Sequence, residues 1–180
     1  MHRLLSATAF VVVAIAALPA WAAEKTVTIN AISATGVGES IGTITAKDSA
    51  QGLVLTPKLV KLLPAGPHGF HMHEKPDCGP APNPAANNQP AAGFAAGGHY
   101  DPKKTGMHHG PGHKDGHVGD LPVLVVDGDG SATLPMVVPH LKVKDITGRS
   151  LMIHAGGDNY SDTPAPLGGG GGRVACGVVK

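Results

Sequence analysis

The sequence predicts an all-β domain of short strands joined by long loops, and three observations carry that expectation. Apolar and polar residues alternate in short stretches along the chain, which is the period of a strand. No segment sustains a helical period with caps at its ends. Gly (26) and Pro (16) are abundant in the 180 residues, which calls for many turns. Aromatic residues make up only 3% of the chain, so the core must rest on Val, Ile, Leu and Ala. The length suits a single domain with a real core.

The elements follow in order. Residues 26–32 place Val27, Ile29 and Ala31 on one face and Thr28, Asn30 and Ile32 on the other. Gly36-Val37-Gly38 marks a turn, and 41–47 and 52–56 read as the next two strands. Residues 69–73 form another short strand. Residues 122–126 lead into Asp127-Gly128-Asp129-Gly130, a strong hairpin signal before a strand at 131–138. Strands at 150–154 and 173–179 complete the set. Between them lie two long loops, 74–121 and 155–172, the second ending in five glycines. Loops this long in a compact domain usually carry function. The glycine run lacks a following Lys-Ser/Thr and a strand-to-helix context, so it is not a phosphate loop; a loop packed close to the functional face is the expectation.

The first 22 residues stand apart. Arg3 precedes an uncharged apolar run from Leu4 to Leu18, and Pro19-Ala20-Trp21-Ala22 supplies a small-residue cleavage site. This is the pattern of a cleavable signal peptide cut after Ala22, and the run is short for a spanning helix. Residues 23–180 then form the mature domain. Removing the leader removes Arg3 and no acid, leaving 13 basic and 13 acidic side chains from the 14 and 13 of the full chain. With no basic stripe, nucleic acid and stable membrane association are excluded as expectations. Export places Cys78 and Cys176 in an oxidising compartment, where a disulfide is the expected state and free thiols the alternative.

The histidines carry the chemistry. His71 and His73 flank Met72 on a strand, so both rings project from one face roughly 6.6 Å apart, close enough to converge on one metal ion. His99 follows Gly97-Gly98, and His108, His109, His113, His117 and Asp120 come after it. Three imidazoles and a carboxylate suit a closed zinc site, and imidazoles alone suit copper. His154, at the end of an apolar strand, reads on its own as a strand-end residue.

Four segments, 69–73 (GFHMH), 97–99 (GGH), 117–121 (HVGDL) and 173–177 (RVACG), resemble the copper–zinc superoxide dismutase family, in the family's order. The run 150–160 (SLMIHAGGDNY) and the long loop resemble its exported bacterial branch. The resemblance covers essentially the whole mature chain. It implies an eight-stranded Greek-key barrel and one copper and one zinc ion per chain. It implies copper on His71, His73, His99 and His154, and zinc on His99, His108, His117 and Asp120, with His99 bridging both ions. For the zinc position His108 is preferred, and adjacent His109 is the alternative. Asp158 corresponds to the carboxylate that holds one copper-side and one zinc-side imidazole, and Cys78 and Cys176 to the family's disulfide. Arg173 corresponds to the arginine beside copper that guides superoxide.

The activity implied is disproportionation of superoxide to dioxygen and hydrogen peroxide, in the periplasm, by a monomer or homodimer. A periplasmic metal buffer on the same fold, and an adhesive sandwich with incidental histidines, are the competing readings. His68, His109, His113 and His140 are expected to be exposed or loop residues. Extra metal binding by His109 or His113, and a place for Lys103, Lys104 and Lys114 in the field, stay open.

Overall fold

A computed structural model describes residues 22–60 and 64–180; the signal-peptide segment falls almost entirely outside them. A meander opens the chain: β1 (Glu24–Ser33), β2 (Gly36–Ser49) and β3 (Gly52–Leu59). β4 (Gly66–His68) and β5 (Phe70–His73) follow. A small hairpin of β6 (Ala81–Asn83) and β7 (Gln89–Ala91) sits in the first long loop. β8 (Leu124–Val126), β9 (Met136–Val138), helix α1 (Val143–Ile146), β10 (Arg149–His154) and β11 (Arg173–Val179) complete the order.

Seven strands form one antiparallel sheet in the order β5-β10-β11-β1-β2-β3-β9, and β4 pairs with β8. β4 and β5 are two halves of one strand interrupted at Gly69, so the ladders run from β9 through β3, β2, β1, β11 and β10 to β5/β4 and on to β8. That makes eight strands in a curled Greek-key arrangement, as the resemblance implied. Inward side chains such as Ile29, Ile44, Leu55, Phe70, Leu124 and Leu151 are fully buried and form one core. Aliphatic residues dominate it, as the scarcity of aromatics required.

Three local expectations are corrected. The first turn lies at Ala34-Thr35, and Gly36, Val37 and Gly38 belong to β2. Ser33 Oγ accepts the Thr35 amide at 3.2 Å and tightens that turn, and register shifts after Ile29 absorb the difference. The turn at 127–130 forms, with the Asp127 amide donating to Ser131 O at 2.7 Å, but its arms do not pair with each other. β8 joins β4 while β9 joins β3. Pro135 interrupts the predicted strand 131–138 because it has no amide to donate, leaving a bridge at Ala132 and the three residues of β9. His68, finally, is not an exposed loop residue. It is 4% exposed, with Nδ1 3.0 Å from His154 O and Nε2 2.9 Å from Pro64 O, because β4 carries it behind the end of β10.

Cys78 and Cys176 form a disulfide with Cα atoms 5.7 Å apart. It ties the start of the first long loop to β11. Among the described residues no helix is long and apolar enough to cross a membrane.

Candidate metal centre

β5 supplies the first two rings. All four of its residues are buried; Phe70 and Met72 enter the core, and His71 and His73 take the opposite face. One edge of β5 pairs with β10. On the other edge the first long loop docks like a further strand: the Met72 amide donates to Gly119 O and the Tyr100 amide to Met72 O, both at 2.9 Å. Bridges opposite His71 and His73 set Asp120 and His99 there. This docking needs Gly119, since a Cβ at that position would lie 2.3 Å from Met72 O and 2.8 Å from the Tyr100 amide. Gly119→Ala is therefore expected to destabilise the fold by about 1–3 kcal/mol through overpacking, read as a lowered midpoint in urea unfolding.

The second long loop closes over the rings. Gly168, with φ +72°, lies so near the Asp158–His108 contact that a Cβ would fall 1.9 Å from Asp158 Oδ1. The glycine run therefore covers the site at backbone distance. His154 ends β10, and its Nδ1 donates to Gly171 O at 3.3 Å.

Each ring uses one nitrogen to fix its orientation. His71 Nε2 donates to Asp158 Oδ2 at 2.8 Å, and His73 Nδ1 donates to Gly97 O at 3.0 Å. His71 Nδ1, His73 Nε2, His99 Nε2 and His154 Nε2 are left buried without a hydrogen-bond partner. A buried polar atom without a partner is costly unless something fills its place. These four residues offer ligating atoms within 4.8 Å of one another, so the four lone pairs fit one ion.

A second convergence lies beside it. Asp120 Oδ1 is 3.0 Å from His99 Nδ1, 3.1 Å from His108 Nδ1 and 3.2 Å from His117 Nδ1. Three imidazoles and a carboxylate are the donor set of a closed zinc site. Asp158 spans the two groups, since Oδ1 also accepts from His108 Nε2 at 2.8 Å. His108, rather than His109, enters the cluster. Its ring is fully buried between Asp120 and Asp158, while His109 stays half-buried outside.

Electrostatics suit metal binding. Burial lowers His99 to about 4 against an opposing bond to Asp120, lowers His154 to about 3, and lowers His71 and His73 as well. These rings are neutral near pH 7, the form that ligates. His108 differs: burial pulls it down, but its bonds to Asp120 and Asp158 outweigh that and raise it to about 9. Burial pushes Asp120 and Asp158 up, yet the imidazole bonds hold both far below the usual carboxylate range.

A cavity of about 460 Å³ opens over His99 and His154, with Arg173, Phe94 and Gly171 on its wall. Arg173 donates from one terminal nitrogen to Gly93 O at 2.7 Å and from the other to Gly97 O at 2.9 Å, and its guanidinium lies 4.4 Å from the Phe94 ring centre. Burial lowers it to about 10, so it stays charged at neutral pH. Lys103 and Lys114 line a different depression, beside His113, His117 and His140. They do not stand at the mouth beside Arg173.

Two contributors escaped the sequence reading. Asp162 accepts the His108 amide at 2.8 Å and the Leu167 amide at 3.1 Å, pinning one long loop to the other. Phe94 supports Arg173. Asp162 resembles any turn aspartate, and only a contact 54 residues away distinguishes it.

The comparisons agree with this geometry. Residues 40–179 match the family model described as copper/zinc superoxide dismutase. The chain is 52% identical over 162 residues to a copper–zinc superoxide dismutase of Salmonella typhimurium, covering 89% of this chain and 91% of the relative. It is 49% identical over 167 residues to that of Escherichia coli (strain K12), covering 92% and 94%. Among solved structures, the copper/zinc superoxide dismutase of Brucella abortus superposes with a TM-score of 0.82 at 46% identity, covering 88% of this chain and all of that one. The monomeric copper, zinc superoxide dismutase of Salmonella enterica, solved in solution, gives 0.77 at 52% identity with the same coverage.

Proposed function

Because the chain belongs to the copper/zinc superoxide dismutase family, we propose that its buried histidine cluster holds one copper and one zinc ion in assigned places and disproportionates superoxide. Copper is held by His71 Nδ1 and by Nε2 of His73, His99 and His154. Zinc is held by Nδ1 of His99, His108 and His117 with Asp120. The observation that carries this reading is the set of four buried, unpartnered imidazole nitrogens beside a carboxylate faced by three more. His71 and His99 both lie near both groups, and the partners of their nitrogens distinguish them. His71 Nε2 faces Asp158, which lies outside both ligand sets, whereas His99 Nδ1 faces Asp120 of the zinc set and its Nε2 is unpartnered, so His99 is the residue that would hold both ions.

When bound, copper would supply the electron exchange between two superoxide ions, and zinc a fixed charge without redox change. The balance is two superoxide ions and two protons giving one dioxygen and one hydrogen peroxide. Arg173 draws the anion into the mouth over His99 and His154 and orients it with its planar fork. His99 would hold copper through Nε2, and the same atom can carry a proton toward the product peroxide whenever it is not bound to the metal, so one buried nitrogen serves both roles. His99 Nδ1 remains on the Asp120 side, so the ring keeps its place through the cycle. Asp158 holds His71 and His108 at fixed orientations.

Asp158→Asn sets an amide N–H against one of two imidazole N–H groups, so one bond is lost. It is expected to weaken metal affinity 10–100-fold, measured by competition with a chelator.

The leader is cut between Ala22 and Ala23, one residue short of β1, and the domain 23–180 works in the periplasm, where the disulfide forms. N-terminal sequencing of the exported protein should begin at Ala23. The monomeric relative from Salmonella enterica favours a monomer over a homodimer here. The deciding experiment measures dismutation and metal content on one sample of purified 23–180 reconstituted with both metals. Fast, copper-dependent activity at one copper and one zinc per chain is expected; full loading without activity would overturn the enzyme reading in favour of a metal buffer.

A further inference from the structure

The buried cluster accounts for six histidines and Asp120. His109 and His113 lie on the turn between two members of that cluster and take no part in it. Their ring centroids are 4.4 Å apart, with a 40° tilt. Neighbouring rings inside the cluster are separated by 3.9 Å (His71 and His99) to 6.0 Å (His99 and His154). A metal–nitrogen bond of about 2.0 Å puts an ion roughly 3.2 Å from a ring centre, so two imidazoles in adjacent positions of a tetragonal ion have centroids roughly 4.5 Å apart. The pair already has this spacing.

Backbone contacts set it. The His109 amide donates to Asp120 Oδ2 at 3.1 Å. The His113 amide donates to Gly110 O at 3.2 Å and the Gly116 amide to His113 O at 3.1 Å. Gly116 passes so close to His109 that a Cβ there would lie 2.9 Å from His109 Cβ. Among the described residues the His109 ring makes no hydrogen bond, and the His113 ring accepts only a long one, 3.4 Å from the Asp115 amide to Nδ1. A metal arriving at either ring displaces little. Lys103 and Lys114 line the same depression as His113, which repels an ion held by charge alone and leaves coordination as the means of binding.

We propose that His109 and His113 form a third, surface metal site that takes a divalent transition-metal ion through two imidazoles, with water completing the coordination. Cupric copper binds there more tightly than zinc, following the ordinary affinity order for nitrogen ligands. Two imidazoles held together act at high effective concentration, so loss of either weakens the site at least tenfold.

The test uses protein already loaded with one copper and one zinc per chain, titrated with Cu²⁺ and, separately, Zn²⁺ and followed by calorimetry and electron paramagnetic resonance. One further Cu²⁺ per chain is expected, with its own nitrogen-ligated signal and tighter binding than Zn²⁺. His113→Gln, on an exposed turn, and His109→Gln should each weaken it at least tenfold, with dismutase activity and the first two ions unchanged. No third equivalent, or equal uptake by the double variant, would overturn the site. Loss of the first zinc from His109→Gln would overturn it too, by placing His109 in the buried set.

Discussion

Arg173→Glu is expected to cut the second-order rate of dismutation 10- to 1,000-fold while copper and zinc stay bound. Local charge in a cleft raises the encounter rate of a charged substrate by that range, and the substitution replaces attraction with repulsion at the cavity mouth. The salt dependence gives the sign. Wild-type rate should fall as ionic strength rises, because screening weakens an attraction. The Glu variant should speed up with salt, and Arg173→Gln should be nearly flat. Arg173 also holds Gly93 O and Gly97 O, so a purely structural role predicts a different result: lost copper, and a similar salt slope in all three proteins. Unchanged kinetics at low salt would remove Arg173 from substrate guidance.

Removing the Cys78–Cys176 bridge should have the largest effect on stability. The bridge joins residues 98 apart, and in the chain-entropy model a loop of that size is worth about 4–5 kcal/mol. A Cys78→Ser/Cys176→Ser protein is expected to lose that much in denaturant unfolding of the metal-free form. Loaded protein should lose more, because metals stabilise the folded chain by mass action and a loop released from its tie holds them more weakly. Equal losses with and without metal would show that the bridge and the metal cluster act independently on the loop.

Legibility followed the range of the determining contacts. β11 matches its predicted span of 173–179, and β1 contains 26–32, because alternation is written into the strand itself. The pair His71 and His73 was readable for the same reason. α1 was not, because its first turn is completed by Asp48, whose Oδ1 accepts the Val143 amide at 2.7 Å from 95 residues away. β4 was hidden likewise, since among the described residues it pairs with β8 alone. At His108 and His109 the local sequence offers two adjacent imidazoles and prefers the first. Asp158 and Asp162, on the opposite loop, draw the first inward. The anchors of Arg173 are backbone carbonyls, which no residue type announces.

The β6–β7 hairpin gives the scaffold a freedom that its interior lacks. Ala81 pairs with Ala91 at the hairpin's base, so residues beyond that pair hang from a closed stem. The tip, Asn87 and Asn88, adopts left-handed backbone conformations. Residues at the stem nevertheless border the mouth, where Asn83 and Ala91 share the cavity wall with Arg173. Lengthening or shortening this collar therefore alters the depth and shape of the entrance without moving a ligand. The same arrangement lets the entrance diverge among descendants, or accept a grafted peptide, while the chemistry inside stays constant.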